Sequence, residues 1–111
     1  FFYERYGLPL MVTENGMAAN DEQDKVANGA VHDNKRIGFI KEYLASVKRA
    51  VNEDIPVLGY QYWSLFDNFE WAEGYEPRFG LVHVDFKTQQ RTLKDSAYEY
   101  KKIIESNGNL L

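Results

Sequence analysis

Cysteine is absent from this sequence of 111 residues, and its absence excludes several kinds of chemistry. A chain without thiols has no disulfide framework, no cysteine nucleophile and no thiolate-bound metal or iron–sulfur cluster. The two histidines, His32 and His83, lie far apart in the sequence and outside any known metal-ligand pattern. There is also no glycine-rich phosphate-binding loop, so the sequence predicts neither a bound metal nor a cofactor.

Basic charge is scarce as well. Thirteen lysines and arginines stand against seventeen aspartates and glutamates, which gives a net charge of −4. No basic patch is available to neutralise phosphates, and this argues against a nucleic-acid partner. No apolar run approaches the roughly 20 residues of a membrane span, so we expect no membrane partner and a cytoplasmic location.

Aromatic residues, by contrast, are abundant and unevenly distributed. Eight of the seventeen lie within residues 60–79, including both tryptophans. Three acids, Asp67, Glu70 and Glu73, are interspersed with them, and a packed core does not accept carboxylates without partners. The mixture favours a cleft for a polar ligand, although packing in a core is the usual fate of aromatic side chains.

The first half of the chain predicts a strand–helix–strand unit. Residues 1–6 have the pattern of the last turns of a helix ended by Gly7, so we expect the chain to be cut from a longer protein. The apolar run at residues 8–13 is typical of a strand buried on both faces of a parallel sheet. A turn-rich surface loop with solvated acids follows. The pattern then predicts a helix from an N-cap at Asp33 to about Asn52, and a strand at residues 57–64.

The remainder predicts a short β segment and a final helix. The β segment covers residues 80–86 and is followed by a turn at residues 87–90. Ser96 and Glu99 have the spacing of a capping box. The helix is expected to end near residue 107 and to bury Ala97, Tyr100, Ile103 and Ile104.

Two parallel strands with two helices do not form a sheet that is stable alone, because both faces and both edges need cover. A (β/α)₈ barrel of about 250 residues supplies that cover. The predicted fold class is therefore α/β, with residues 1–111 forming the C-terminal quarter of a single barrel domain that is incomplete by itself.

Glu14 is the first candidate functional residue. It ends the apolar strand, and barrel active sites are built at the carboxyl ends of the strands. Low-dielectric surroundings there strengthen the interactions of a carboxylate. The alternative is that Glu14 only begins a loop and points into water.

Three motifs in order give the chain a resemblance to a known family. Val-Thr-Glu-Asn-Gly at residues 12–16, the tryptophan-rich segment at residues 63–71, and Gly-Tyr with Arg-Phe-Gly within residues 74–80 resemble the C-terminal part of family 1 glycoside hydrolases, the β-glucosidase family. The tetrapeptide Thr-Glu-Asn-Gly is weak evidence alone. Its combination with the tryptophan-rich segment at this separation is highly specific.

The resemblance implies a retaining β-glycosidase that acts on a small-molecule β-glycoside. Glu14 matches the catalytic nucleophile, which forms a covalent glycosyl-enzyme. Glu70 matches the residue that binds the outer hydroxyls of the sugar, with Trp71 in the same subsite. Trp63 matches the platform under the sugar and Phe79 another wall of the subsite.

The resemblance also bears on the substrate. Relatives that act on 6-phosphorylated sugars have a serine at the position of Glu70 and a lysine nearby, whereas this chain has a carboxylate that would repel a phosphate dianion. The implied substrate is a plain β-glucoside, with β-galactosides or β-fucosides as further candidates. Tyr75 and Arg78 match motif positions to which the sequence assigns no role.

One expected residue is absent. A retaining mechanism needs a second carboxyl group as acid and base, and the family supplies it from an Asn-Glu-Pro motif that does not occur here. Glu70 could replace it only by giving up its implied substrate contact. The chain alone is therefore expected to be inactive and to need the remaining N-terminal part of the barrel as its partner.

Two other classes of protein stay open at this stage. A non-catalytic carbohydrate-binding module would suit a surface of aromatic and acidic residues, but it has no use for a carboxylate at the end of a buried strand. An engineered barrel fragment would expose apolar strand edges and would self-associate.

Overall fold

The computed structural model describes residues 1–111 as an α/β chain with three helices, four strands and one short 3₁₀ turn. In chain order these are α1 (Phe2–Tyr6), β1 (Leu10–Asn15), α2 (Asn34–Asn52), β2 (Val57–Tyr62), the 3₁₀ turn (Trp71–Glu73), β3 (Val82–Val84), β4 (Arg91–Leu93) and α3 (Asp95–Glu105). Gly7 ends α1 in the left-handed conformation, as predicted. None of the helices is long and apolar enough to cross a membrane.

Strands β1 and β2 form a parallel two-stranded sheet joined by the crossover helix α2. Leu10 pairs with Val57 at one end and Asn15 with Tyr62 at the other, and the register shifts twice between them. The predicted strand–helix–strand unit is confirmed. Its carboxyl edge carries the residues that directly follow each strand.

The apolar core lies on one face of this sheet. Its four buried residues come from α2, α3 and the position just before β3, and they are Ile40, Leu44, Leu81 and Ile103. Tyr60 and Tyr62 of β2 pack against this cluster, so both tyrosines mark the helix-covered face. The ring of Tyr62 lies 6.2 Å from that of Tyr100 on α3.

Burial of the strands is lower than the sequence predicted. Met11 of β1 is 50% exposed and Leu58 of β2 is 74% exposed, although continuous apolar runs predict cover on both faces. Only two helices cover the sheet, and each strand has one edge without a neighbouring strand. Ile104, which was expected to be buried, is 60% exposed because α3 meets the core through Ile103.

The two predicted helix caps also differ from expectation. Asp33 precedes α2 as predicted, but its side chain makes no capping hydrogen bond. Its carboxylate accepts hydrogen bonds from Arg36, 2.6 Å away, and from the hydroxyl of Ser96. The capping box at Ser96 and Glu99 is wrong, because α3 begins at Asp95 and the Ser96 hydroxyl is used by Asp33. The buried ion pair between Asp33 and Arg36 is stronger than a capping hydrogen bond from an uncharged backbone N–H to Asp33.

The predicted β segment at residues 80–86 is one arm of a hairpin. Residues of β3 pair antiparallel with β4, which the sequence analysis did not identify. Asp85 forms the predicted turn by accepting hydrogen bonds from the backbone N–H groups of Lys87 and Thr88. Three-residue strands contain too few positions for a reliable alternating pattern, so β4 could not be recognised from its residues.

Candidate active site

Glu14 lies next to the carboxyl end of β1 and is exposed. The hydroxyl of Tyr60 donates a hydrogen bond to the side-chain oxygen of Asn15 at 2.6 Å, so Asn15 lies on the helix-covered face. Val12 is half-buried but Glu14 is exposed, because the register shift between Val12 and Asn15 interrupts the alternation of faces, and this turns Glu14 to the face that the helices leave open. Its carboxylate forms no hydrogen bond or ion pair within the chain, so all its lone pairs are available to a ligand.

Trp63 directly follows β2 and lies at the same edge. Its backbone N–H donates to the carbonyl of Asn15 at 2.9 Å, and the Trp63–Ser64 peptide bond is cis. A Cβ at Gly16 would lie 1.9 Å from the Trp63 carbonyl oxygen, so only glycine fits there. The indole is 41% exposed, which leaves part of its surface accessible to a ligand.

Phe79 is joined to the same edge through its backbone. Its carbonyl accepts hydrogen bonds from the Ser64 N–H and the Tyr62 hydroxyl, both at 3.2 Å, and its side chain is half-buried. Backbone hydrogen bonds therefore connect the segments that carry Glu14, Trp63 and Phe79. The three lie together at one edge of the sheet.

Glu70 and Trp71 lie on a separate loop, residues 68–77, which we call the Glu70 loop. The Glu70 N–H donates to the Gly74 carbonyl at 2.6 Å, and Trp71 begins the 3₁₀ turn with a positive φ of 43°. Glu70 is half-buried with an unpaired carboxylate, and Trp71 is 82% exposed. No hydrogen bond joins either residue to Glu14, Trp63 or Phe79.

The predicted site residues line none of the principal cavities. Five principal cavities of about 170 to 560 Å³ occur in the chain, and none is lined by Glu14, Trp63, Glu70, Trp71 or Phe79. No group of three histidine, aspartate or glutamate side chains is placed to hold a metal ion. Glu14, Trp63 and Phe79 share one edge of the sheet, and Glu70 and Trp71 lie on the separate Glu70 loop.

A buried network of charges links several segments of the chain. Three acids and three bases, all at most 6% exposed, take part: Asp24, Asp33, Arg36, Asp67, Arg78 and Lys94. We call this set the charge network. It joins the loop before α2, α2 itself, both ends of the Glu70 loop and the start of α3.

The charge network corrects two sequence predictions. Asp24 is not a solvated surface acid but is 1% exposed and paired with Arg36 and Lys94. Asp67 does not face a ligand cleft but lies in the interior, 2.7 Å from Arg78 and 2.8 Å from Lys94. A buried carboxylate is acceptable when cations and N–H groups satisfy its oxygens, as they do here.

The electrostatics of the network follow from this pairing. Burial alone would raise the pKa of Asp67, but Lys94 and Arg78 outweigh burial and hold that pKa below its usual range. Burial raises the pKa of Tyr62, near Arg36, to about 12. Asp67 therefore stays ionised and Tyr62 neutral near pH 7. No local sequence pattern indicated this network, because its six members come from separate segments of the chain.

Comparison with known proteins gives consistent results. The sequence model of the family described as Glycosyl hydrolase family 1 matches residues 1–109. Beta-glucosidase A of Acetivibrio thermocellus is 48% identical over 104 residues, which are 93% of this chain and 23% of that protein. The bifunctional beta-D-glucosidase/beta-D-fucosidase of Bifidobacterium breve is 50% identical over 104 residues, 92% of this chain and 23% of that protein.

Solved structures agree. The family 1 beta-glucosidase of Thermotoga maritima superposes with a TM-score of 0.90 and 45% identity, over 96% of this chain and 24% of that protein. The same enzyme in complex with noeuromycin gives the same values. The chain thus spans about a quarter of the length of these relatives. The predicted fold class is confirmed, since the chain is α/β, closes no barrel and matches one part of (β/α)₈ barrel enzymes.

Proposed function

This chain belongs to glycosyl hydrolase family 1, and from that premise we propose that it carries the nucleophile and part of the sugar subsite of a retaining β-glycosidase. The observation that carries the proposal is the unpaired carboxylate of Glu14 at the carboxyl edge of β1, beside Trp63. An acid with all its lone pairs free, at the edge where barrel enzymes build their sites, is suited to attack a substrate.

In the proposed reaction Glu14 attacks the anomeric carbon of the bound glycoside. The bond from that carbon to the leaving-group oxygen breaks, and an acid supplied by another part of the barrel protonates the oxygen. A glycosyl ester of Glu14 results. Water, activated by the same group acting as a base, then hydrolyses the ester and regenerates the carboxylate.

The sugar subsite is assigned to the four remaining candidates. Trp63 offers a half-exposed indole as a platform, and Phe79 forms a wall beside it. Glu70 accepts hydrogen bonds from the outer hydroxyls, and a charged acceptor makes such bonds about twice as strong as a neutral one. Trp71 covers the same part of the sugar. The unpaired state of Glu70 and the exposure of both indoles support these roles.

The rest of the barrel is the proposed partner, with residues 1–111 as one part of a single catalytic domain. Three structural features support this assignment: the open face that carries Glu14, the free edges of β1 and β2, and the absence of a second carboxylate paired with Glu14. The acid/base lies outside this chain, so the chain alone is expected not to turn over.

The proposed substrate is a plain β-glucoside, with β-fucosides or β-galactosides as further candidates. Support for the fucoside comes from the Bifidobacterium breve relative, whose name includes that activity. The unpaired carboxylate of Glu70 disfavours a phosphate dianion in the same subsite. Equal turnover of a 6-phosphoglucoside and the plain glucoside by the assembled barrel would contradict this specificity.

A mechanism-based label tests the nucleophile. In an assembled barrel, this chain replaces the matching 106 residues of Thermotoga maritima beta-glucosidase A. Treatment with an activated 2-deoxy-2-fluoro-β-glucoside is expected to add one glycosyl mass to the peptide that contains Glu14. The Glu14→Gln variant is the matched control and should take up no label.

Two results would overturn the proposal. A label on another residue of a folded, active barrel would reassign the nucleophile. Reversible sugar binding without label or hydrolysis would favour the carbohydrate-binding module. The 111-residue chain without its partner is expected to leave an aryl β-glucoside intact, and hydrolysis at the rate of the assembled barrel would place the acid/base within this chain.

A further inference from the structure

The Glu70 loop has little internal support. None of its ten residues is buried, and its internal hydrogen bonds are those of the 3₁₀ turn and the Glu70–Gly74 contact. At its start, the Asn68 amide donates to the Ser64 hydroxyl at 3.0 Å and the Phe66 carbonyl at 2.9 Å. One chain of stacked rings, Phe69 on Tyr75 at 5.4 Å and Tyr75 on Phe86 at 4.6 Å, links the loop to the hairpin. What fixes the loop must therefore lie mainly at its two ends.

The two ends of the loop are joined through the carboxylate of Asp67, whose hydrogen-bonding capacity is fully used. Asp67, directly before the loop, accepts hydrogen bonds from the Arg78 guanidinium at 2.7 Å and the Gly80 N–H at 3.0 Å, both beyond the loop's other end. Lys94 and the Val84 N–H donate to the same carboxylate at 2.8 and 3.3 Å. Four donors occupy all four acceptor sites of one carboxylate, which fixes its position from every side.

Arg78 fixes the other end equally firmly. Its backbone exchanges two hydrogen bonds with Ala19, and its guanidinium also donates to the Val84 carbonyl at 2.9 Å. The guanidinium lies 4.8 Å from the centre of the Phe86 ring. A Cβ at Gly80 would lie 2.3 Å from the Asp67 nitrogen, so the two ends approach as closely as backbones can.

We propose that the Asp67–Arg78 ion pair is a positioning device that holds Glu70 and Trp71 in register with the sugar. The inference rests on the proposed function, since it assigns the ion pair to the substrate contact of Glu70. Asp67 and Arg78 do not touch substrate. They act through the loop that they close, and a loop without buried residues transmits any displacement of its ends to Glu70.

The positioning role predicts an effect that depends on Glu70. In the assembled barrel, Arg78→Lys keeps the charge but loses the planar fork, which contacts Asp21 through Nε and both Asp67 and Val84 through Nη1. It is expected to lower kcat/KM for an aryl β-glucoside by about 10-fold, the scale for a small misplacement of a binding group. Asp67→Asn, which keeps the shape but not the charge, is expected to act in the same direction.

The test is a double-mutant cycle. With Glu70→Ala in the background, Arg78→Lys is expected to lower kcat/KM by less than about twofold, because the group it positions is gone. An aryl β-xyloside, which lacks the hydroxymethyl group, repeats the comparison without changing Glu70 and should show a smaller loss than the glucoside. Ser96→Ala is the matched control, since Ser96 is buried and bonded to the charge network at Asp33, away from the loop.

The possible outcomes distinguish a failure of this inference from a failure of the proposed function. Equal losses from Arg78→Lys with and without Glu70, and on both substrates, would reduce the ion pair to a structural role and overturn the inference while the function stands. A folded wild-type barrel that hydrolyses no β-glycoside would overturn the proposed function instead. A loss that vanishes with Glu70 and stays absent in Ser96→Ala supports the positioning role.

Discussion

Five acidic residues of this chain form two groups with opposite surroundings. Asp24, Asp33 and Asp67 are at most 4% exposed, and each carboxylate is paired with at least one buried cation. Glu14 and Glu70, the two acids proposed to meet the sugar, have no side-chain partner in the chain. The interior acids have used their hydrogen-bonding capacity, whereas the site acids keep theirs for a substrate.

This contrast separates scaffold from chemistry. The charge network ties together segments that are distant in sequence and gives the loops fixed ends. The site acids depend on that scaffold for position but contribute nothing to it, so changes in the two groups should affect different measurements.

The largest effect is expected from Glu14→Gln in the assembled barrel. Loss of the covalent nucleophile should lower kcat by at least about 10⁴-fold, as removal of a nucleophile does in other covalent enzymes. The midpoint of urea unfolding should stay within error of the wild type, because the carboxylate has no partner to lose. A Glu14→Gln variant that unfolds at lower urea but keeps substantial kcat would contradict the assignment of Glu14 to the chemistry and not to the stability of the fold.

Asp67→Ala should show the reverse pattern in the assembled barrel. Removing the acid leaves Arg78 and Lys94 buried without their shared counter-charge, which costs about 3–5 kcal/mol of unfolding free energy. Urea unfolding followed by far-UV circular dichroism measures this loss. A loss of unfolding free energy no larger than that for an exposed acid would mean that water replaces the carboxylate. The charge network would then be more accessible to solvent than its burial indicates.

The same carboxylate predicts a dependence of stability on pH. The pKa of Asp67 is lowered from 3.8 by Lys94 and Arg78 despite burial, so below about pH 5 the unfolded chain takes up protons before the folded chain does. The unfolding free energy should therefore fall as the pH drops through the folded pKa, by at most about 1.4 kcal/mol per pH unit from this group. In Asp67→Asn the unfolding free energy should fall less steeply with decreasing pH. An unchanged slope would mean that other acids cause the pH dependence.

The smallest effect is expected from Glu105→Ala on α3. Its ion pair with Lys101 spans 3.7 Å between side chains that are 64% and 70% exposed. Exposed pairs of this kind contribute less than about 0.5 kcal/mol to the unfolding free energy. A loss comparable to that of Asp67→Ala would show that burial is not what separates the two groups of acids.

Much of the fold could be predicted because it depends on local patterns. The apolar run before Glu14, the stripe of α2 and the second apolar run predicted the parallel unit, and Gly7 predicted the end of α1. Local patterns gave wrong predictions where contacts with another segment determine the burial or the hydrogen bonding of a residue. Met11 and Leu58 are exposed because strand burial depends on covering elements, and Ser96 does not cap α3 because Asp33 takes its hydroxyl.

The candidate site shows the same division. Motif spacing predicted that Glu14 and Trp63 leave one sheet edge together, and the hydrogen bond from Trp63 to Asn15 places both strand ends side by side. No spacing indicated that Asp67 faces inward while Glu70, three residues later, does not. The need for Gly16 and Gly80 also became evident only from the close approach of two backbones.

The sequence by itself determined the family, the order of the elements and the residues that could do the chemistry, because these depend on residue identity and short-range periodicity. The tertiary structure alone decided which acids are structural. Lys94 and Asp24 stand 70 positions apart, and Lys94 and Asp67 stand 27 apart, yet each pair is in hydrogen-bond contact. Oppositely charged side chains can pair at any separation in the sequence. Burial then distinguishes the acids that support the fold from the acids that stay open to a ligand.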